Sequence, residues 1–286
     1  MGGFTDTHIH IWDLQRVEYA WLEKDTSILK RNYALEQLDD QRLLAGVEAG
    51  ILVQAACNRG DTDLMLEAAA RHSWIKGIVG WVPLMDPTQA ARELDELTAY
   101  PVFKGIRHLI HDEPDTQWLL QDTVVESLRY LSARNIPYDL VGILPEHLRV
   151  ALKLLEQLPG LRIVIDHLNQ PPIASAAKSG EWFDFIREIA RNPNVYAKIS
   201  GLGTTSGKPG TWGEEDVLPY VEYALEHFGP QRCMCGGDWP VSLLAGSYPY
   251  TWNVYEKVIN RLITDPVDLQ LVRQGTAAVF YGLEKI

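Results

Sequence analysis

The sequence predicts a single α/β domain in which eight parallel strands, each followed by a helix, close into a (β/α)8 barrel, the TIM-barrel architecture. Three observations carry that expectation. Apolar, β-branched runs alternate with amphipathic helical stretches along the chain. The alternation repeats eight times within 286 residues, a length that suits such a barrel. The first strand is not followed by the Gly-rich phosphate turn of an open doubly wound sheet, and no linker or low-complexity tract divides the chain, so residues 1–286 are read as one domain.

The first strand is Phe4-Thr5-Asp6-Thr7-His8-Ile9-His10-Ile11-Trp12. Strand alternation puts Asp6, His8 and His10 on one face and Ile9 and Ile11 on the other. Residues 13–33 form a long irregular segment whose aromatics, Trp21 among them, favour an ordered loop. Leu35, Leu38, Leu43 and Leu44 recur near helical spacing, which predicts a helix over 34–46. Residues 50–56 are nearly all apolar, the pattern of a strand buried on both faces. A helix is expected over 64–71 and a third strand over 75–82. Asp86-Pro87 then supplies a cap and a first-turn proline for a helix over 87–100. Strand four spans 102–110 with its helix at 122–134, and strand five 136–143 with its helix at 145–158. Strand six spans 161–168 with its helix at 181–190, and strand seven 195–201 with its helix at 216–228. Strand eight covers 232–238, and helices near 252–262 and 267–280 finish the chain.

Composition narrows the class of function. Net charge of −12 and a pI near 5.1 argue against nucleic acid or an anionic membrane as partner. The three cysteines, Cys57, Cys233 and Cys235, are too few for a disulfide framework and suit a reducing cytoplasm. Cys233 and Cys235 are expected to pack in the interior. No basic-then-apolar leader precedes Phe4 and no apolar run is long enough for a membrane helix, so a cytoplasmic protein is expected.

Chemistry concentrates at the strand ends, where barrels of this type carry their reactive groups. His8 and His10, Gln54, Arg107 and His108, Tyr138 and Asp139, Asp166 and His167, Lys198 and Ser200, and Asp238 all fall there. Each is costly in an otherwise Val/Ile/Ala strand unless it is satisfied. Two imidazoles converging from strand one can bind a divalent metal or polarise a carbonyl oxygen. Strands one and eight are neighbours in a closed barrel, so Asp238 in Gly236-Gly237-Asp238-Trp239-Pro240 faces them. It can take a proton from an attacking water, ligate a metal, or simply cap a turn. Of the adjacent pair Asp166 and His167, alternation lets one point inward, and His167 is the expected one. One of Lys104, Arg107 and His108 is expected to meet a polar group of substrate, with a salt bridge to a wall carboxylate as the alternative. Lys198 pairs with Asp166 or Asp139, or contacts substrate. Tyr138 and Trp21 offer aromatic surface near strand ends. No Ser or Cys lies in a nucleophile-elbow pattern, which disfavours a covalent acyl-enzyme.

Seven segments together resemble the amidohydrolase superfamily, in its amidohydrolase-related (type 2) branch. They are Asp6-Thr-His8-Ile-His10-Ile-Trp12, Val53-Gln54-Ala55, Ile78-Val-Gly80-Trp81-Val82, Lys104-Gly-Ile-Arg107, Ile165-Asp166-His167, Lys198-Ile-Ser200-Gly201-Leu202 and Gly237-Asp238-Trp239-Pro240. Within that branch the set most resembles sugar lactonases of the L-fucono-1,5-lactonase and L-rhamnonolactonase kind. The resemblance implies hydrolysis of a cyclic ester, with a small-molecule sugar lactone as partner and a monomer or homodimer as the assembly. Asp238 would be the general base for water, and His8, His10 and His167 would surround the carbonyl oxygen. Arg107, with Tyr138 or Lys198, would orient substrate polar groups. Tyr138-Asp139 stands where metal-dependent relatives place a carboxylated lysine or a histidine ligand. No cofactor is therefore expected to be essential, although His8, His10, His167 and Asp238 form a set able to hold one divalent ion such as zinc. The rival within the superfamily is a metal-dependent decarboxylase or hydratase.

Overall fold

A computed structural model describes residues 2–284. Eight parallel strands follow one another in sequence order: β1 (Phe4–Ile9), β2 (Val47–Val53), β3 (Ile75–Gly80), β4 (Phe103–His108), β5 (Tyr138–Leu140), β6 (Ile163–Ile165), β7 (Val195–Ile199) and β8 (Cys233–Cys235). Residues just past β8 make the closing seam. The Asp238 amide donates to His8 O at 2.8 Å and the His10 amide to Trp239 O at 2.7 Å. Thr7 Oγ1 adds a bond to Cys235 O at 2.8 Å. The fold is the expected (β/α)8 barrel, and the bond that closes it also places Asp238 beside His8.

The helices that wrap the strands are α1 (Asp39–Leu44), α2 (Arg59–Arg71), α3 (Pro87–Leu97), α4 (Asp122–Ala133), α5 (Pro145–Gln157) and α6 (Glu181–Ile189), then α7 (Leu202–Thr205), α8 (Glu214–Phe228), α9 (Tyr248–Leu262), α10 (Pro266–Gln270) and α11 (Thr276–Tyr281). The Asp86 side chain accepts from the Gln89 amide and Pro87 sits in the first turn of α3, as the sequence implies. Other boundaries differ. Helix α2 begins five residues before the apolar pattern does, because Asn58 caps a polar first turn. The stretch 34–46 is a short 3-10 turn followed by α1, and Gly46, at φ +69°, ends it so that β2 can start at Val47. The last expected helix is broken by a π turn, Leu271–Gly275, between α10 and α11. Segment 13–33 is ordered as expected: Trp12 Nε1 donates to Arg31 O at 2.7 Å and Tyr33 Oη to Ile28 O at 2.7 Å.

Two apolar layers result. One lies between strands and helices and takes in Cys233 and Cys235, whose thiols are free. The other lies inside the barrel, where Ile51, Val53, Val79, Val164 and Met234 pack against Ala277, Phe280 and Tyr281 of α11. Helix α11 therefore plugs the end of the barrel where the strands begin. Among the described residues no helix is long and apolar enough to cross a membrane.

Candidate active site

His8 and His10 enter the site from the end of β1. Their pairing register slips between Asp6 and Ile9, and that slip turns Asp6 away from the histidines it was expected to accompany. Asp6 instead accepts from the amides of His8 (2.9 Å) and Gly237 (2.7 Å) and from Tyr248 Oη on α9 (2.6 Å). Burial pushes its carboxyl up to about 7. Asp6 thus pins the seam of the barrel, and the two imidazoles alone face the lumen.

At the end of β6 the expectation that only one of Asp166 and His167 points inward is overturned. His167 adopts φ 54° and ψ 30°, a left-handed turn that breaks strand alternation. Asp166 drops into the lumen while His167 swings over it, its Nδ1 held 2.8 Å from Ser200 Oγ. Asp238, also left-handed at φ 54°, completes the floor. Its Oδ1 lies 3.5 Å from His10 Nε2 and 3.9 Å from the Nε2 of both His8 and His167. Gly201, at φ +62°, allows this approach: a Cβ there would stand 2.7 Å from His167 Nδ1 and 3.2 Å from Asp238 Oδ2.

Charged groups support the floor from below. Arg107 Nη1 lies 3.1 Å from Asp166 Oδ2 and 3.2 Å from His8 Nε2, and Nη2 donates to Gln54 O. Lys198 Nζ lies 2.5 Å from Asp139 Oδ2 and 3.0 Å from Asp166 Oδ1. Each of these residues, with the three histidines and Asp238, is at most 8% exposed. Burial lowers His8, His10 and His167 below the ordinary imidazole value, so all three are neutral at pH 7. Burial would raise Asp166, but Lys198, His8 and Arg107 outweigh it and hold the carboxyl well below the usual range.

Several expected site residues stand elsewhere. Lys104 lies near the start of β4, bulged between the pairs Ile78–Phe103 and Val79–Gly105, and donates to Gly282 O at 3.1 Å, at the α11 end of the barrel. Three strand steps separate it from Arg107, roughly 10 Å at the usual rise. His108 points outward, because alternation gives the lumen to Arg107. It stacks on Trp118 with centroids 4.0 Å apart, accepts from Trp81 Nε1 at 3.0 Å and bonds Glu113 at 2.7 Å. Tyr138 likewise packs in the layer between barrel and helices, and Asp139 takes the lumen. Lys198 is fully buried beneath the floor and pairs with both Asp139 and Asp166. Trp21 does reach the rim, with Nε1 bonded to Ala55 O at 2.8 Å.

Above the floor opens a cavity of about 330 Å³ lined by His10, Arg107, His167 and Asp238, with Trp21, Leu109, Val141, Ile143 and Val241 as apolar walls. His111, Gln170 and Thr204 add polar groups. The sequence reading did not single these three out. They come from the segments that follow β4, β6 and β7, Thr204 on the one-turn helix α7, and no period marks a residue of such a short segment as facing a pocket.

The floor also has the geometry of a cation site. His8 Nε2, His10 Nε2 and Asp238 Oδ1 lie 3.1–3.9 Å from one another, close to the roughly 3.3 Å between ligands of a tetrahedral zinc. His8, Asp166 and His167 form a second grouping of this kind. The donor set therefore fits one divalent ion, although the Arg107 guanidinium at His8 Nε2 crowds it with positive charge.

A family model described as Amidohydrolase matches residues 5–283 of the chain. The chain is 33% identical over 286 residues to the L-fucono-1,5-lactonase of Burkholderia ambifaria, an alignment that covers 98% of this chain and 96% of that protein. It is 30% identical to the L-fucono-1,5-lactonase of Burkholderia multivorans, covering 97% and 95%. A crystal structure of an amidohydrolase from Burkholderia multivorans with bound Zn superposes with a TM-score of 0.86 at 28% identity, covering 99% of this chain and 100% of that one.

Proposed function

The chain belongs to the amidohydrolase family, and from that premise we propose that it hydrolyses a sugar-derived lactone by adding water to the ring ester carbonyl. One observation carries the chemical part of the reading. A single carboxylate oxygen, Asp238 Oδ1, sits within 3.5–3.9 Å of three neutral imidazole Nε2 atoms at the floor of a monosaccharide-sized cavity. Asp238 is the general base. It takes the proton of the attacking water as the carbon–oxygen bond forms, and returns it to the ring oxygen as the ester bond breaks. The negative charge that develops on the carbonyl oxygen is met by the Arg107 guanidinium, which lines the cavity and donates to His8 Nε2, with His8, His10 and His167 closing around the same point. Lys198 acts from below the floor rather than on substrate. The apolar walls exclude bulk water, while His111, Gln170 and Thr204 are placed to meet hydroxyl groups. The names of the Burkholderia relatives support a sugar lactone as the substrate class.

A resident ion is not required by this reading, because the Arg107 guanidinium already supplies positive charge beside the carbonyl oxygen. If a divalent ion is bound, His8, His10 and Asp238 would hold it, and it would supply polarisation of that oxygen. The test is proton release from a panel of aldono- and uronolactones, followed with a pH indicator before and after chelation and dialysis. Turnover that survives chelation supports the reading and names the sugar. Loss on chelation with recovery on zinc reassigns His8, His10 and Asp238 as ligands. Silence across the panel overturns the reading in favour of decarboxylase or hydratase chemistry.

A further inference from the structure

Four consecutive residues that follow β6, His167 to Gln170, hold left-handed backbone angles, with φ of 54°, 49°, 54° and 49°. None of them is a glycine. L-residues visit this region singly rather than in runs, and Asn tolerates it better than most. The run is therefore held by its surroundings. At its front, Ser200 Oγ lies 2.8 Å from His167 Nδ1. In the middle, Leu168 is fully buried and its carbonyl accepts from Trp182 Nε1 of α6 at 2.7 Å. Towards its rear stands Asn169, which is 1% exposed and does not line the cavity. Its Nδ2 donates to Leu144 O at 2.9 Å, and its Oδ1 lies against Gly142, where an added Cβ would stand only 1.9 Å away.

Those contacts cross from one wall of the cavity to another. Gly142 and Leu144 flank Ile143, and Val141 and Ile143 supply apolar wall after β5. His167 and Gln170 supply polar wall after β6. The β5 side is itself fixed to α5, because His147 Nδ1 accepts from the amides of Ile143 (3.0 Å) and Leu144 (3.4 Å). We propose that Asn169 is a positioning residue that sets the spacing between these two walls and so selects which ring substituents fit. Asn suits the place on two counts. It adopts left-handed angles at low cost. It also offers an N–H donor to Leu144 O, where the isosteric Asp would set a carboxylate oxygen against a carbonyl oxygen. His167 has a support of its own in Ser200, so loss of the Asn169 tether should free Gln170 and the apolar wall while the reacting groups stay in place. The selection of substituents rests on the lactonase reading. The tether does not.

Two variants separate positioning from stability. Asn169→Gly removes the side chain and frees the left-handed angles of strain, so the melting temperature should stay within about 3 °C of wild type. Asn169→Asp keeps the shape and loses the donor. With the lactone that the indicator assay identifies, both variants should raise KM about tenfold while kcat changes less than about threefold, the pattern of lost binding away from the reacting carbonyl. The preference for that lactone over its stereoisomers, read as a ratio of kcat/KM values, should weaken. Wild-type kinetics in Asn169→Gly would overturn the proposal, and so would a fall in kcat at unchanged KM. Failure of both variants to fold would overturn it as well, by making Asn169 a residue of stability alone.

Hydrogen exchange reads the tether without any turnover. The Ile143 amide is bonded to His147 Nδ1 and the Gln170 amide to His167 O at 2.9 Å, so each wall carries a reporter. Deuterium uptake by the full-length protein, followed by mass spectrometry, should be slow at both in wild type. In Asn169→Gly the rate should rise about tenfold in 141–144 and in 167–170 together, while the barrel strands keep their wild-type rates. A rise confined to one segment, or absent from both, would overturn the link between the walls. Coupled exchange in a protein that opens none of the lactones sinks the lactonase reading and leaves the tether standing.

Discussion

The two ends of the barrel lumen are built from opposite chemistry. Toward α11, Ile51, Val53, Val79, Val164 and Met234 pack against Phe280 and Ala277 without a charge among them. Toward the mouth, Arg107, Asp139, Asp166 and Lys198 carry four buried charges under three neutral imidazoles. Each fully buried aliphatic or aromatic side chain of the lower half contributes about 1.5–3 kcal/mol. The upper half gains little net stability, since desolvation offsets most of the attraction within buried pairs, and it becomes costly only when one partner is removed. The lower half holds the frame rigid so that the upper half can keep its groups in one arrangement.

That division can be broken at either end. The largest expected effect is at the mouth. Asp238→Asn should lower kcat by about 10²–10⁴ with the melting temperature little changed, as measured by the indicator assay and thermal denaturation. Near-normal turnover would mean that the base lies elsewhere. At the plugged end, Phe280→Ala should cost about 3–5 kcal/mol in denaturant unfolding while kcat and KM stay near wild type at a temperature where the variant is folded. A fall in kcat without a loss of stability would erase the distinction between the two halves.

Arg107→Lys keeps a cation beside Asp166 but loses the planar fork that reaches His8 and Gln54. A loss of about 10²–10³ in kcat is expected, with a smaller change in KM, from steady-state kinetics on the lactone that the panel identifies.

Asp6 sharpens the comparison from outside the lumen, because it pins the seam and touches no cavity. Its carboxyl titrates near 7 folded against 3.8 as the reference for the unfolded chain. Between those values the unfolded state binds fewer protons, so this group withdraws stability as pH rises from about 4 to 7, to an extent of order 3 kcal/mol. Denaturant curves across that window should show the wild type losing ground relative to Asp6→Asn. Parallel curves would refute the raised value. The smallest effect is expected at Lys104, where Lys104→Met should alter stability by no more than about 0.5 kcal/mol and leave kcat/KM unchanged.

Much of the site is legible in the sequence. His8, His10, His167 and Asp238 are expensive residues at equivalent ends of different strands, and they do converge at one floor. Lys198 was legible as a residue in need of a carboxylate, and it meets two. Strict alternation fails where the strand itself breaks. A register slip after Asp6 and left-handed turns at His167 and Asp238 redirect side chains that strict alternation would have sent elsewhere. In β4 and β5 the opposite happened: alternation holds, and it sends His108 and Tyr138 outward while Arg107 and Asp139 take the lumen.

The sequence by itself determined the barrel, its eight units and the residue types of the floor. Those follow from local quantities, namely the period of apolar residues, the caps and the cost of burying a polar group. The tertiary structure alone decided which side of the wall each polar side chain faces, which cation meets which carboxylate, and which loop residues line the cavity. Facing and pairing depend on register between strands distant in the chain, and on a few backbone angles that no local pattern encodes.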